Sequence, residues 1–182
     1  MSLTYCATVR KGLDAWNTSY HDTEYGFPLA TDNELFERLI LEINQAGLSW
    51  LTILKKREAF TRAYHRFDIK TVANYTEADR ARLLADAGII RNRLKVNAAI
   101  ENARRIQNLG SFQNWLEHRR DLSLDAWAKE FKRTFLFTGG EIVREFLVST
   151  GYLPGAHDPD CPVYSQLNAT RAPATREPAF RK

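Results

Sequence analysis

The 182-residue sequence has few cysteines and no long apolar run, and each shortage argues against a class of protein. Its apolar runs fall short of the roughly 18 residues that a membrane helix needs, and its opening does not resemble a secretory signal. The two cysteines, Cys6 and Cys161, stand near opposite ends of the chain, and an intracellular protein would keep them reduced. We therefore expect an intracellular protein with no membrane partner and no disulfide.

Segments that alternate apolar and polar residues are also missing, as is any internal repeat, which argues against a sheet or a solenoid. Apolar residues recur instead at helical spacing behind Thr31 and Glu34, a pair typical of a capping box. Further helices are predicted from near Ser49, behind Thr76 and up to Gly110, a usual helix stop. Three shorter ones are expected at "NWLEH", "LDAWAKEF" and "GGEIVREFLVSTG". The predicted fold class is all-α.

Length and composition predict one domain. A chain of this length with 44% hydrophobic residues can form a single core, which we place over residues 1–164 as two helical lobes. The stretch 165–182 is polar and contains prolines, so we expect a flexible tail there. A net charge of +4 and a pI near 9.1 are compatible with a polyanionic partner, although many basic proteins bind nothing acidic.

The scarce cysteines and histidines include a candidate metal set. Cys6 and His21 lie near the N-terminus, while His157 and Cys161 lie four residues apart in "HDPDC". Two cysteines and two histidines form a tetrahedral zinc set, and four protein ligands leave no open position for catalysis. One structural zinc ion that joins both chain ends is one interpretation, and four unrelated residues is the other.

A basic helical hairpin is predicted at about residues 83–100. One helix is followed by a tight turn at Gly88 and by a second helix that opens with Arg91, Arg93 and Lys95. In a helix-hairpin-helix, backbone N–H groups and a helix N-terminus face a DNA phosphate, and flanking cations attract it. The alternative is an ordinary αα-hairpin with a solvated basic face.

A carboxylate stands among apolar and aromatic residues in the first third of the chain. Glu42 falls at the edge of the apolar stripe of its helix, where desolvation is costly unless a cation or donors lie near. Trp50 downstream and "YHDTEYG" upstream can bring aromatic rings beside it, which would make a box for a flat cation. A salt-bridged glutamate among core aromatics is the alternative.

The chain resembles the DNA-3-methyladenine glycosylase I family from about residue 6 to residue 161. The stretches that carry the resemblance are "YHDTEYG", "LILEINQAGLSWLTILKKREAF", "DAGIIRNRLKVNAAIENA" and "HDPDC". The resemblance implies a helix-hairpin-helix DNA glycosylase fold in a single glycosylase domain. It also implies one structural zinc ion that joins the N- and C-terminal segments, with the ligands Cys6, His21, His157 and Cys161.

The same resemblance assigns roles around a base pocket. It implies that Glu42 reads the base and serves as the catalytic residue, with Trp50 as a stacking wall and Tyr20 as another pocket aromatic. Leu48 would enter the duplex where the base has left, and Gly47 would let the turn approach DNA.

Three departures from the family concern the pocket. Tyr25 stands where the family's usual "YHDxEWG" has tryptophan, and it offers a smaller stacking surface with a hydroxyl. Asn44-Gln45 replaces a Gln-Gln pair. In the last helix the family carries a small hydroxyl residue that lines the pocket, and alignment on the flanking glycines puts Glu145 there, with a base-binding role. Alternatively, Glu145 points away and pairs with Arg144 or another surface cation.

The resemblance implies a monofunctional enzyme of base-excision repair. It would flip an alkylated purine, chiefly 3-methyladenine, out of double-stranded DNA and hydrolyse its N-glycosidic bond, which releases the free base. The hairpin region shows no Schiff-base lysine of the kind that bifunctional relatives carry. We expect a cytoplasmic, bacterial-type protein that acts as a monomer. The alternatives are a different lesion preference and DNA binding without catalysis.

Overall fold

The computed structural model describes residues 4–170, with the backbone alone for 168–170. None of these residues lies in a β-strand, so the prediction of an all-α fold is confirmed. None of the described helices is long and apolar enough to cross a membrane. The helices are α1 (Tyr5–Arg10), α2 (Ala15–Thr23), α3 (Asp32–Gln45), α4 (Trp50–Ala63), α5 (Ile69–Ala73), α6 (Glu77–Ala85), α7 (Arg93–Leu109), α8 (Phe112–Glu117), α9 (Leu124–Thr134), α10 (Gly140–Ser149) and α11 (Pro162–Thr170).

The helix boundaries predicted from capping residues are confirmed. Capping boxes start α3 at Thr31 and α6 at Thr76. The hydroxyl of Ser49 accepts a hydrogen bond from the backbone N–H of Thr52 at 3.2 Å, which starts α4. Gly110 follows the last residue of α7 with a φ of 83°, a conformation that glycine adopts at little cost.

Helix α3 lies at the centre of the core and packs against α4, α5, α7, α8 and α10. Its fully buried apolar residues are Leu35, Phe36, Leu39, Ile40 and Ile43. A cluster of aromatic rings extends the same core through α8, α9 and α10, and it consists of Phe112, Trp115, Trp127, Phe131, Phe135 and Phe146. Because the core is continuous, it holds the C-terminal half of α3 in a fixed position.

The stretch from residue 165, which we expected to be a flexible tail, begins within a helix. Helix α11 continues through Thr170, because proline suits the first turn of a helix and Leu167 is buried against Val148 and Ala156. The polar composition of the segment conceals this one apolar contact. The rest of the expected tail, residues 171–182, lies outside the described residues.

Helices α6 and α7 lie in the region of the predicted hairpin, are joined by residues 86–92 and pack against each other. The backbone N–H of Gly88 donates to Oδ1 of Asp86 at 2.7 Å, so it is engaged inside the turn and is not the donor that a phosphate would meet. A Cβ at Gly88 would lie 3.0 Å from Cβ of Ala59, so glycine lets the turn pack closely on α4. The role of the hairpin in binding DNA stays a prediction.

Candidate active site and metal centre

Two cysteines and two histidines from distant parts of the chain converge on one buried point. Sγ of Cys6 lies 3.3 Å from Nε2 of His21 and 3.6 Å from Nδ1 of His157. Sγ of Cys161 lies 3.8 Å and 3.4 Å from the same two nitrogens. A tetrahedral ion with bonds of about 2.0–2.3 Å has ligand–ligand edges of roughly 3.3–3.8 Å. The four side chains therefore fit a metal ion.

A second layer of contacts orients the two imidazole rings. Oδ1 of Asp22 lies 2.7 Å from Nδ1 of His21, and the backbone carbonyl of Tyr25 lies 2.8 Å from Nε2 of His157. Each ring therefore turns its other nitrogen toward the cluster, as partners of metal-binding histidines commonly do. Because Tyr25 is also a predicted pocket residue, the metal cluster and the pocket share one stretch of backbone.

Gly26 keeps that stretch close to both elements. It has a φ of 85°, and a Cβ there would lie 2.5 Å from Cβ of Ala156, next to a metal-cluster histidine. Its backbone N–H donates to the carbonyl of Ser149 at 2.8 Å. The loop after α2 is thus clamped between the end of α10 and the segment that carries the C-terminal pair of the cluster.

A cavity of about 460 Å³ lies beside the metal cluster. This volume falls within the roughly 300–1,000 Å³ of ordinary ligand sites. The side chains predicted to act on a base all line it: Tyr20, Tyr25, Glu42, Trp50 and Glu145. A larger and more open groove, of about 840 Å³, lies at α9 and the start of α10 and contains none of them. The smaller cavity is therefore the candidate active site.

Aromatic rings form one side of this cavity. The ring centroid of Tyr20 lies 5.0 Å from that of Trp50 and 5.8 Å from that of Tyr25, with planes tilted by 55° and 50°. Because the rings are not stacked face to face, a planar ligand can still stack on one of them. Nε1 of Trp50 is buried, and no described atom accepts a hydrogen bond from it. An acceptor on a bound ligand would satisfy this donor.

Glu42 is the buried carboxyl group of the cavity, with 5% of its surface exposed. Desolvation raises its pKa from 4.5 to about 8, and the charge of Glu145 acts in the same direction. The charge of Arg38 and a hydrogen bond from the hydroxyl of Ser149, at 3.3 Å, oppose the rise. A nearby positive charge would stabilise the ionised form, so the cavity favours a cationic ligand.

Glu145 lines the cavity and also forms the surface ion pair that was the alternative. Its Oε2 accepts a hydrogen bond from the hydroxyl of Tyr25 at 3.2 Å. Its Oε1 accepts one from Arg144 at 2.6 Å. Burial, followed by the charge of Glu145, raises the pKa of Tyr25, so this phenol stays protonated and donates. The ion pair with Arg144 is therefore present, but Glu145 does not point away from the cavity, and its role in base binding stays a prediction.

Comparison with known proteins decides the family. The family model described as methyladenine glycosylase matches residues 10–164, which is most of the chain. The chain belongs to the methyladenine glycosylase family. The resemblance stated from the sequence motifs is thereby confirmed.

Individual members of the family agree with this conclusion. The chain is 52% identical over 86 residues to DNA-3-methyladenine glycosylase 1 of Escherichia coli, which is 47% of this chain and 46% of that protein. The match thus spans about half the length of that relative.

Solved structures match over more of the chain. A 3-methyladenine DNA glycosylase I from Staphylococcus aureus has a TM-score of 0.75 at 32% identity, over 82% of this chain and 92% of that chain. A variant 3-methyladenine DNA glycosylase I in complex with 3-methyladenine has a TM-score of 0.78 at 32% identity, over 88% and 97% of the two chains.

Two residues of the site in this family member were missed from the sequence. Ser149 contacts Glu42 from α10, one helical turn beyond Glu145. Arg38 is 2% exposed and donates to the hydroxyl of Tyr20 at 2.7 Å. Its spacing of four residues from Glu42, within an apolar stripe, was the available signal.

Leu48 stands at the tip of the turn between α3 and α4. It is 38% exposed, and Gly47 before it has a φ of 81°. Nε2 of Gln45 donates to the carbonyl of Leu48 at 2.9 Å, which holds the turn closed. Gln45 and Trp50, which flank the turn, both line the cavity. An apolar side chain is therefore displayed at the edge of the site.

The hairpin cations predicted to bind DNA are of two kinds. Arg91 and Arg93 are exposed, as a contact with phosphate requires. Lys95 is only 5% exposed, and its Nζ donates to the backbone carbonyls of Asn44 at 2.9 Å and Ala46 at 2.7 Å. The prediction that Lys95 contacts phosphate is wrong, because its ammonium group is already bonded to the end of α3.

Proposed function

We propose that this protein is a monofunctional DNA glycosylase that releases 3-methyladenine from alkylated double-stranded DNA. The observation that carries the proposal is a buried carboxyl group, Glu42, in an aromatic cavity beside an exposed apolar turn. An enzyme that acts on a base of a duplex must take the base out of the stack and receive it in a pocket. Leu48 would fill the gap, and the cavity would hold the base.

Charge would select the lesion. 3-Methyladenine is cationic while it is attached to the sugar, whereas unmodified adenine is neutral. The positive charge of the base would stabilise the ionised form of Glu42, which desolvation otherwise disfavours. Trp50 and Tyr20 would hold the ring by stacking and by attraction between a cation and an aromatic face. The pocket would then discriminate by charge more than by shape.

Bond cleavage would need little acid catalysis. The electron pair of the C–N bond leaves with the base, which departs as a neutral molecule, while an oxocarbenium-like sugar forms. Water adds to the sugar carbon and loses a proton to solvent, which gives free 3-methyladenine and an abasic site. Lys95, in the hairpin region, is bonded to two carbonyls, which supports a reaction without a Schiff base.

We propose that the metal is one zinc ion with a structural role. Two thiolates and two imidazoles at tetrahedral spacing suit zinc, and four protein ligands leave no open position. The ion would fasten α1 and α2 to the segment before α11, and through His157 it would fix the backbone of Tyr25 at the cavity wall. The chemistry of base release does not pass through it.

The proposed activity is tested by incubating the protein with alkylated duplex DNA and identifying the released bases by chromatography. We expect 3-methyladenine as the main product, and Glu42→Gln serves as the variant with impaired release. Binding of duplex DNA without release of any base would overturn the enzymatic proposal.

A different lesion preference is the second candidate function. Glu145 and Tyr25, which are hydrogen-bonded to each other on the cavity wall, favour it, because they add a carboxylate and a hydroxyl to the site. These groups could accept from a lesion that carries additional donors. Release of another alkylated base in preference to 3-methyladenine, in the same assay, would support this candidate.

A further inference from the structure

Lys95 is a buried cation that the proposed chemistry does not use. We propose that Lys95 is a positioning residue that fastens the Leu48 turn to the DNA-binding hairpin, so that Leu48 is aligned when the hairpin docks on the duplex. The proposal rests on the function proposed above.

The ammonium group reaches the turn at its base. The last carbonyls of a helix lack intrahelical partners and carry the negative end of the helix dipole, where a cation is favourable. Nζ of Lys95 donates to the carbonyls of Asn44 and Ala46, at the end of α3. Ala46 is separated from Leu48 by Gly47 alone, so the bond holds the chain directly before the apolar side chain.

The other end of Lys95 is fixed in the hairpin. Its backbone N–H donates to Oδ1 of Asn92 at 3.1 Å, in the cap that starts α7. Arg93, a predicted phosphate contact, belongs to the same helical turn. The ring centroid of Phe137 lies 5.9 Å from Nζ and covers the ammonium group. Lys95 therefore connects the first turn of α7 to the base of the Leu48 turn within one side chain.

The Leu48 turn needs a contact that fixes its position relative to the hairpin. A Cβ added at Gly47 would meet no atom within 4 Å beyond its chain neighbours, so this side of the turn faces open space. The bond from Gln45 to Leu48 lies within the turn and does not fix it relative to the hairpin. Side chains that act on a substrate must be held to within a fraction of an ångström, and small displacements can lower a rate substantially.

The test compares Lys95→Met with a control on the same helix, Arg104→Met. Arg104 also donates to two backbone carbonyls, those of Ala73 at 2.8 Å and Tyr75 at 3.2 Å, which do not belong to the Leu48 turn. Single-turnover release from alkylated duplex, affinity for free 3-methyladenine and the melting temperature are measured for both. If Lys95→Met does not fold, Lys95→Gln, which keeps a donor, takes its place.

We expect Lys95→Met to slow release from duplex at least about tenfold relative to Arg104→Met, with affinity for the free base within about twofold of wild type. In a Leu48→Ala background, Lys95→Met should cause no further loss, because residues that act as a unit are not additive. Equal rates for the two methionine variants, or the same loss with and without Leu48, would overturn the proposal.

Salt dependence separates this role from a phosphate contact. Lys95→Met should leave the slope of DNA affinity against salt concentration unchanged, since the ammonium group faces carbonyls. A slope reduced by about 0.9, as the loss of one phosphate contact gives, would also overturn the proposal.

Failure of the wild type to release any base would instead count against the proposed function. Fluorescence of 2-aminopurine beside an abasic analogue then reports insertion of Leu48, and equal signals from wild type and Lys95→Met would contradict the positioning role.

Discussion

Glu42 makes stability depend on pH at the scale of a single residue. Its pKa of about 8 in the folded protein exceeds its ordinary value of 4.5, so between these values the folded protein keeps a proton that the unfolded chain has lost. The free energy of unfolding is therefore unaffected by this group below the lower value. As pH rises toward the higher value, it falls by about 1.4 kcal/mol per pH unit.

The variant Glu42→Gln removes this titration. We expect its melting temperature to match that of wild type near pH 4.5 and to exceed it by a growing margin up to about pH 8. The reason is that the amide stays neutral while the wild-type carboxyl is forced to ionise in a desolvated site. Calorimetry at a series of pH values measures the margin. A margin that does not change with pH would show that Glu42 ionises normally.

Glu145 offers a second test at the residue scale. Glu145→Ser should lower discrimination between cationic and neutral purines by roughly tenfold, since a nearby charge in a partly exposed site is worth on the order of 1 kcal/mol or more. Stability should change little. Glu141→Ser is the matched control, because Glu141 also pairs with Arg144, at 3.7 Å, but is 91% exposed on the same helix. The same lesion range in both variants would remove Glu145 from the site.

At the scale of elements, the exposed cations of the hairpin are predicted to bind DNA phosphates. Arg91→Ala and Arg93→Ala should each weaken binding to all sequences alike and reduce the salt slope by about 0.9, because each would remove one predicted phosphate contact. Arg62→Ala is the control, since Arg62 is also exposed, at 73%, but lies on α4. Titrations at several salt concentrations measure the slope. If Arg91 and Arg93 behave like Arg62, the hairpin is only an element of the fold.

The helices also show which structural features can be predicted from local sequence patterns. Helices with strong caps, such as α3 behind Thr31 and α7 before Gly110, are confirmed because a cap is a local interaction. Lys95 was assigned wrongly because its acceptors, on Asn44 and Ala46, lie about fifty residues away in the chain, beyond the reach of local pattern. Helix α11 was missed for the same reason, since Leu167 is buried only by contact with distant residues.

At the scale of the whole molecule, the cluster of two cysteines and two histidines brings residues near both ends of the described chain together. Cys161→Ser should release the metal and lower the melting temperature, and any loss of activity should follow the loss of folded protein. Treating wild type with a chelator should reproduce both effects. Metal content and thermal unfolding are the measurements. A metal-free protein with wild-type melting temperature and activity would end the idea of a structural ion.

Contacts between distant parts of the chain explain why the site was only partly predictable from the sequence. The two cysteines and two of the four histidines were predicted to form one cluster. In the structure their ligand atoms lie within 4.8 Å of one another. The contact between that cluster and the pocket, through His157 and the carbonyl of Tyr25, involves backbone and leaves no mark in the sequence. Ser149 was likewise hidden, because its contact with Glu42 depends on how α10 and α3 pack, whereas the spacing of Arg38 from Glu42 was a signal that the sequence did offer.

If Glu42 receives an extruded cationic base, its replacement must slow the release of that base from DNA. Single-turnover release of 3-methyladenine from one alkylated duplex is measured for wild type and Glu42→Gln, with DNA affinity measured in parallel. We predict release by wild type and a rate at least about a hundredfold lower in the variant, with DNA affinity within about twofold. Equal rates of release by the two proteins, or no release by wild type, would show that Glu42 does not have this role.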